Sequence, residues 1–286
     1  MIFNQIKTII LLGALTGLML LVGNLIGGKL GLTVALIFAI LMNSVMYFFS
    51  DKIALMWYRA EKIKQSQYPW LYSMIKELAK EANIPEPKGI YLIPAEQANA
   101  FCAGRGPNHY VVACTKGILD LLTKEELNGV LAHEISHAKN RDVLIATLAA
   151  TIAGVISYIA HMAQFAAFFG GTDRDSNQST GNLVGLLILA ILTPIIALII
   201  QMAISRSREY LADETGARLV GDANPLAKAL EKIHGSVKNN PLNFGSEAAS
   251  GLFIANPFKG NFLINLFSTH PSLESRLNRL KELKLS

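Results

Sequence analysis

Four long stretches of the chain contain no Asp, Glu, Lys or Arg: 8–28, 30–49, 143–171 and 181–205. At ~1.5 Å rise per residue, each can cross a hydrocarbon core of ~30 Å as a helix. The pattern predicts four transmembrane helices, with polar segments at 50–142 and 206–286. The first stretch exceeds the usual apolar core of a signal peptide, and no clear small-x-small cleavage pattern follows it, so it reads as a retained anchor. The expected organisation is two spans in 1–49, a polar segment at 50–142, and a hairpin of spans at 143–205. A short loop at 170–182 joins that hairpin, and a second polar segment at 206–286 follows.

Inside the polar segments the periodicity shortens. Trp70–Ala82 repeats at helical spacing and stops before Pro85 and Pro87. Gly89–Ile93, Asn99–Ala103 and His109–Cys114 read as short strands, the last two around the turn Gly104-Arg-Gly-Pro-Asn108. Thr123-Lys-Glu-Glu126 has the form of a capping box and opens the next helix. Ser205–Val220 continues the fourth span as a helix that stops near Gly221. Leu226–His234 and Ser272–Leu283 read as further helices, and 235–262, rich in Gly, Asn, Ser and Pro, reads as a loop. The fold class expected is a mainly α integral membrane protein. Its four spans carry an α+β polar domain with a small β-sheet.

Composition supports the membrane reading. Charged residues make up 16% of the chain, against about 25% for a soluble domain. Lys7, Arg59, Lys62, Lys64, Lys139, Arg141, Arg206 and Arg208 flank the predicted spans on one side. The loop 170–182 carries Arg174 with two Asp, and the link between spans one and two carries only Lys29. The positive-inside bias places both termini and both polar segments in the cytoplasm. The net charge of +5 suits an anionic lipid surface. Basic residues hug the span ends and alternate with acids, so nucleic acid is not an expected partner. Cys102 and Cys114 are expected to be free thiols that fill small packing positions, although neighbours across a hairpin leave a redox or ligand role conceivable.

Residues His133-Glu134-Ile135-Ser136-His137 form an HExxH motif. On a helix, positions i and i+4 share a face, so both imidazoles can aim at one ion while Glu134 stands beside it as a base. The metzincin continuation fails, because Asn140 and Val143 occupy the positions of its Gly and third His. A buried intramembrane motif also fails, since HExxH precedes the third span. The remaining solution is a downstream acid. Glu209 is the preferred third ligand, with Asp213 one turn on as an acceptor fixing a His ring. Glu231 and Glu247 are weaker candidates, and a surface ion pair of Glu209 with Arg206 or Arg208 is the bland alternative. Two spans separate the motif from Glu209, which keeps them on one side of the membrane. His137 stands about 9 Å of helix before the third span and Glu209 about 6 Å beyond the fourth. Zinc follows from this type of ligand set.

HExxH, Ser205-Arg-Ser-Arg-Glu-Tyr-Leu-Ala-Asp213, Asn99-Ala-Phe101 and Ser268-Thr-His-Pro271 together resemble the HtpX family of bacterial membrane zinc metalloproteases, relatives of the CAAX prenyl proteases. The resemblance covers essentially the whole chain, with Cys102-Ala103-Gly104 departing from the usual Ala-Thr-Gly. It implies His133, His137 and Glu209 as ligands of one zinc ion, and Glu134 as catalytic base. It also implies an inner-membrane enzyme for the quality control of damaged or misfolded membrane proteins under stress. A hydrolytic oxyanion needs a donor besides the metal. His270 is the first candidate and Arg276 the second. Asn99, Ala100 and Phe101 are expected on an exposed edge strand that pairs with substrate backbone. The expected partners are membrane protein substrates and the bilayer, and the oligomeric state stays open. The alternatives are a dedicated processing protease for a lipidated or membrane-anchored substrate, and a zinc-stabilised scaffold without hydrolysis.

Overall fold

A computed structural model describes residues 47–169, 179–239 and 271–285, with scattered positions between 10 and 45. The expected spans at 8–28 and 30–49 therefore lie largely outside the described residues, as do most of loop 170–182, residues 240–262 and His270. The chain divides into two compact units. One includes Tyr47–Ile145 and Ser205–Ser286, and the other holds Ile6–Met46 and Ala146–Ile204.

The first unit is built on a four-stranded sheet. Helix α1 (47–57) leads into β1 (Glu61–Lys62), α2 (Pro69–Glu81) and β2 (Ile90–Ile93). The hairpin β3 (Ala100–Gly106) and β4 (His109–Thr115) follows, then α3 (Lys116–Leu121) and α4 (Lys124–Lys139). The spatial order is β1-β2-β4-β3, with β2–β4 parallel and the other two pairs antiparallel, so β3 is an edge strand. Its turn is tighter than the expected Gly104–Asn108, because β3 runs on to Gly106 through a register shift. Gly104 has φ +145 there, and a Cβ would sit 2.2 Å from the His109 carbonyl oxygen.

Alternate residues fill two cores. Ala100, Cys102, Tyr110, Val112 and Cys114 face one layer with Ile75 of α2 and Leu127, Leu131 and Ile135 of α4. Phe101, Ala103, Val111 and Ala113 face the other layer with Ala54 and Tyr58. Strict alternation buried on both faces is the signature of a strand set between helices.

Helix α4 carries the HExxH motif. Its capping box is formed: Thr123 Oγ1 accepts from the Glu126 amide at 3.3 Å, and Glu126 Oε2 accepts from the Thr123 amide at 2.9 Å. Lys232 of α7 (Asn224–Asn239) donates to the same oxygen at 2.8 Å. The helix ends at Asn140, and Arg141 takes a left-handed conformation, φ +57. That single residue turns the chain sharply into α5 (Asp142–Phe169). Helix α7 runs to Asn239, past Gly235, where the sequence reading began a loop. Its apolar face, Leu226, Ala229, Leu230 and Ile233, packs into the core and outweighs the poor helix propensity of Gly235 and Ser236. Helix α8 (Leu273–Glu282) starts on the Ser272 hydroxyl, which accepts from the Ser275 amide.

The second unit holds most of α5 and the first part of α6 (Ser179–Val220). Among the described residues, two stretches, Asp142–Ala160 and Ile191–Val220, are long and apolar enough to cross a membrane. Ile188, Ile191, Leu192, Ile195, Ile196 and Ile199 are exposed along α6, which suits a lipid solvent far better than water.

Helix α6 returns to the first unit at Ser205 and crosses α4 closely. A Cβ on Gly216 would lie 2.8 Å from the His133 nitrogen and 2.9 Å from its Cα. Gly216→Ala should force the two helices apart and lower stability by about 1–3 kcal/mol. A thermal melt of the detergent-purified variant checks this, and an unshifted melt would show that the crossing can relax.

Candidate active site

Three side chains converge where α4 and α6 meet. His133 Nε2 and His137 Nε2 are 3.1 Å apart, with ring planes nearly perpendicular. Glu209 Oε2 lies 3.7 Å from His133 Nε2, and its Oε1 lies 3.6 Å from His137 Nε2. Ligands about 2.0–2.1 Å from a tetrahedral ion stand roughly 3.3 Å from one another, which this triangle brackets. Among the described residues, these three form the group of His, Cys, Asp or Glu able to hold a metal.

The outer ring nitrogens explain why. His137 Nδ1 is 2.7 Å from Asp142 Oδ2, and His133 Nδ1 is 2.9 Å from Asp213 Oδ1, off the line of a straight hydrogen bond. A carboxylate at Nδ1 keeps the last proton there, so each ring in its neutral form presents a lone pair at Nε2. Two lone pairs and a carboxylate then point at one buried spot, and only positive charge relieves that arrangement. The donor set therefore fits a zinc ion.

Each supporting carboxylate has its own buried arginine. Arg276 Nε and Nη2 donate to Asp213 at 2.9 and 2.6 Å, and Arg276 Nη1 lies 3.5 Å from Glu209. Arg208 donates to Asp142 Oδ1 through Nε and Nη2, and through Nη2 to the Asn140 carbonyl at 2.9 Å. Arg276 is only 2% exposed, and these anions hold it firmly protonated against the opposing effect of burial. Its Nε and Nη2 are engaged with Asp213, so the structure gives it a supporting contact to that carboxylate, where the sequence reading expected an oxyanion donor. His270, the other expected donor, lies outside the described residues.

Asp142 and Arg208 were not singled out in the sequence as parts of the site. Asp142 stands five residues past His137, off the i+4 face, and reaches it only through the left-handed turn at Arg141. Arg208 reads as a membrane-flanking cation. The discoverable signal was a lone acid at the very edge of an uncharged stretch.

Glu134 is buried beside the triangle, and its Oε2 accepts from the Cys102 amide at 3.1 Å. Burial raises its pKa; the His133 and His137 charges and the Cys102 amide oppose the shift, while Glu209 adds to it. The Cys102 amide must point away from β4, and so must those of Ala100 and Gly104. Asn99 faces inward instead: its carbonyl accepts from the Thr115 amide at 2.9 Å and its amide donates to Thr115 Oγ1 at 2.8 Å. Phe101 packs its ring against Tyr58 on the far layer. The expected exposed strand is thus an edge in its backbone, with buried side chains. Of the three residues proposed for pairing, only Ala100 turns its amide outward. Cys102 and Cys114 are free and buried, offset by two residues of register on the α4 side. Burial and the Glu134 charge push Cys102 well above its usual value and Cys114 up to about 12, so both are inert thiols.

The description of peptidase family M48 matches residues 65–284. The chain belongs to peptidase family M48. Several relatives described as "Protease HtpX homolog" extend the match over nearly the whole chain. The protein from Sulfurihydrogenibium sp. (strain YO3AOP1) is 50% identical over 98% of this chain and 96% of its own length. That from Aquifex aeolicus is 53% identical over 93% and 89%, and that from Pyrococcus abyssi 46% over 98% and 96%. The crystal structure of S. mikatae Ste24p shares the fold, with a TM-score of 0.59 at 18% identity, covering 98% of this chain and 66% of that one. This M48 peptidase is a membrane-bound metalloendopeptidase, and its substrates are proteins.

Burial opposes an imidazolium at His137, but the Asp142 hydrogen bond and the charges of Glu209, Asp142 and Glu134 outweigh it, raising His137 to about 9. A metal needs the neutral ring, so below that pH it must displace a proton. Apparent metal affinity should rise about tenfold per pH unit up to pH 9 and flatten above it. Titration calorimetry in buffers of different ionisation enthalpy reads the released proton, and binding at pH 7 without proton release would contradict this reading.

Proposed function

We propose that this M48 peptidase is a zinc-dependent endopeptidase of the bacterial inner membrane, with four spans and a cytoplasmic active site, that degrades misfolded or damaged membrane proteins. The observation that carries this is the convergence of His133, His137 and Glu209 beside a buried Glu134, with one apolar helix starting just after the HExxH helix and the other running on into Glu209.

His133, His137 and Glu209 would hold the ion. Bound zinc would acidify water and polarise the scissile carbonyl. Glu134 takes the proton of the attacking water and delivers it to the leaving amine. Its raised pKa brings it closer to neutral pH, where a base of this kind works best. Asp213 and Asp142 keep the imidazoles oriented, and Arg276 holds Asp213. The outward amides of Ala100 and Gly104 would pair with an extended substrate while the Cys102 amide holds Glu134, and His270 remains the proposed oxyanion donor. Backbone pairing reads little sequence, which suits an enzyme that recognises damage.

Glu134→Gln should retain zinc and lose cleavage by about 10²–10⁴-fold. Glu209→Ala should release zinc. Metal analysis beside cleavage of a destabilised membrane protein in proteoliposomes tests both, and full activity in Glu134→Gln would end the mechanism. For orientation, Ser176→Cys should be labelled by an impermeant thiol reagent from outside intact cells. Labelling only after lysis would invert the topology.

A further inference from the structure

We infer that Asp142 and Arg208 form a positioning pair that sets two metal ligands at once, His137 through Asp142 and Glu209 through its neighbour Arg208. The inference rests on the zinc-site reading above.

The pair is buried throughout: both residues are 6% exposed. One guanidinium gathers three elements. It donates to Asp142 at the start of α5, donates to the Asn140 carbonyl at the end of α4, and itself belongs to α6. The carbonyls of a last helical turn lack partners within the helix, so the Asn140 contact also closes the end of α4. Holding Asp142 by Oδ1 leaves Oδ2 directed at His137 Nδ1, 2.7 Å away. This fixes both the tautomer and the ring plane of His137.

The second effect follows from helix geometry. Arg208 and Glu209 are consecutive, so their side chains leave α6 about 100° apart. When Arg208 is locked onto Asp142 and Asn140, α6 cannot rotate without carrying Glu209 off the triangle. The matching arm on His133 is built differently, since Asp213 takes its arginine from α8. The Asp142–Arg208 pair joins the first turn of α5 to the returning α6. These are the points where the chain leaves the catalytic unit, after Ile145, and re-enters it, at Ser205. Metal affinity is therefore tied to how α5 begins and how α6 is turned within the catalytic unit.

The test uses full-length protein in detergent, with zinc affinity from competition against a chromophoric chelator and ligand geometry from the visible spectrum of the cobalt-substituted protein. Asp142→Ala should weaken zinc binding about 10–100-fold. Arg208→Met should weaken it by about tenfold or more, and Arg208→Lys should fail to rescue it, because an ammonium lacks the fork that bridges two acceptors. The double variant should be no weaker than the worse single one, since both act through one contact. Both singles should shift the cobalt bands. Asp142→Asn, which keeps an acceptor for His137, should fall between wild type and Asp142→Ala. Lys232→Met, which removes a different anchor of α4, should lower the melting temperature and leave zinc affinity alone. Unchanged affinity in Asp142→Ala or Arg208→Met, or fully multiplicative effects in the double variant, overturns the inference while His133→Ala and Glu209→Ala still lose metal. If those ligand variants also keep wild-type affinity, the ligand assignment fails and takes this inference with it.

Discussion

A helix buried on every side carries two imidazoles and a carboxylate, and the architecture around it answers that constraint. From Glu126 to Ala138, α4 is inside the protein almost throughout. A buried polar atom without a partner costs about 1–3 kcal/mol, and a buried charge more. Each polar group on α4 therefore has a dedicated counterpart. Glu126 has Thr123 and Lys232, Glu134 has the Cys102 amide, His133 has Asp213, and His137 has Asp142. Asp213 and Asp142 are buried in turn and need partners of their own, which is why two arginines lie deep in the fold. The inner nitrogens are what remain after this chain of satisfaction, and they all face the same point.

The same constraint explains which parts of the site were legible in the sequence. His133, Glu134 and His137 follow from one helical face, and the helix start is written in the Thr123–Glu126 box. Glu209 follows from a second helix whose acids repeat at i and i+4. Asp142 is invisible to such periodicity, since a left-handed residue that is not glycine breaks the helix between it and His137. Arg276 is visible as a cation near a helix start, but its task depends on where α8 packs, which no local pattern states. The strand pattern was legible as well, and the orientation of its amides was not. Register and the Thr115 hydroxyl decide that Asn99 turns inward. Helix α7 shows composition failing where packing wins: glycine and serine suggest a loop, and the apolar stripe before them extends the helix.

The edge strand and the base are linked by one hydrogen bond, the Cys102 amide to Glu134. The amide that restrains the carboxylate belongs to the set that faces away from β4, the side open to a further strand. Fold and chemistry are thus joined at a single backbone group, and Gly104, with no room for a Cβ, keeps the hairpin in the register that presents it.

The catalytic unit is discontinuous in the chain, with 146–204 lying between its two halves. During synthesis from the N-terminus, the HExxH helix is made long before Glu209, and Arg276 emerges later still. Until those residues arrive, the two histidines lack the Glu209 carboxylate beside them and Asp213 lacks its arginine. Chain order alone thus gives the enzyme an inactive interval, during which its own nascent helices are safe from it.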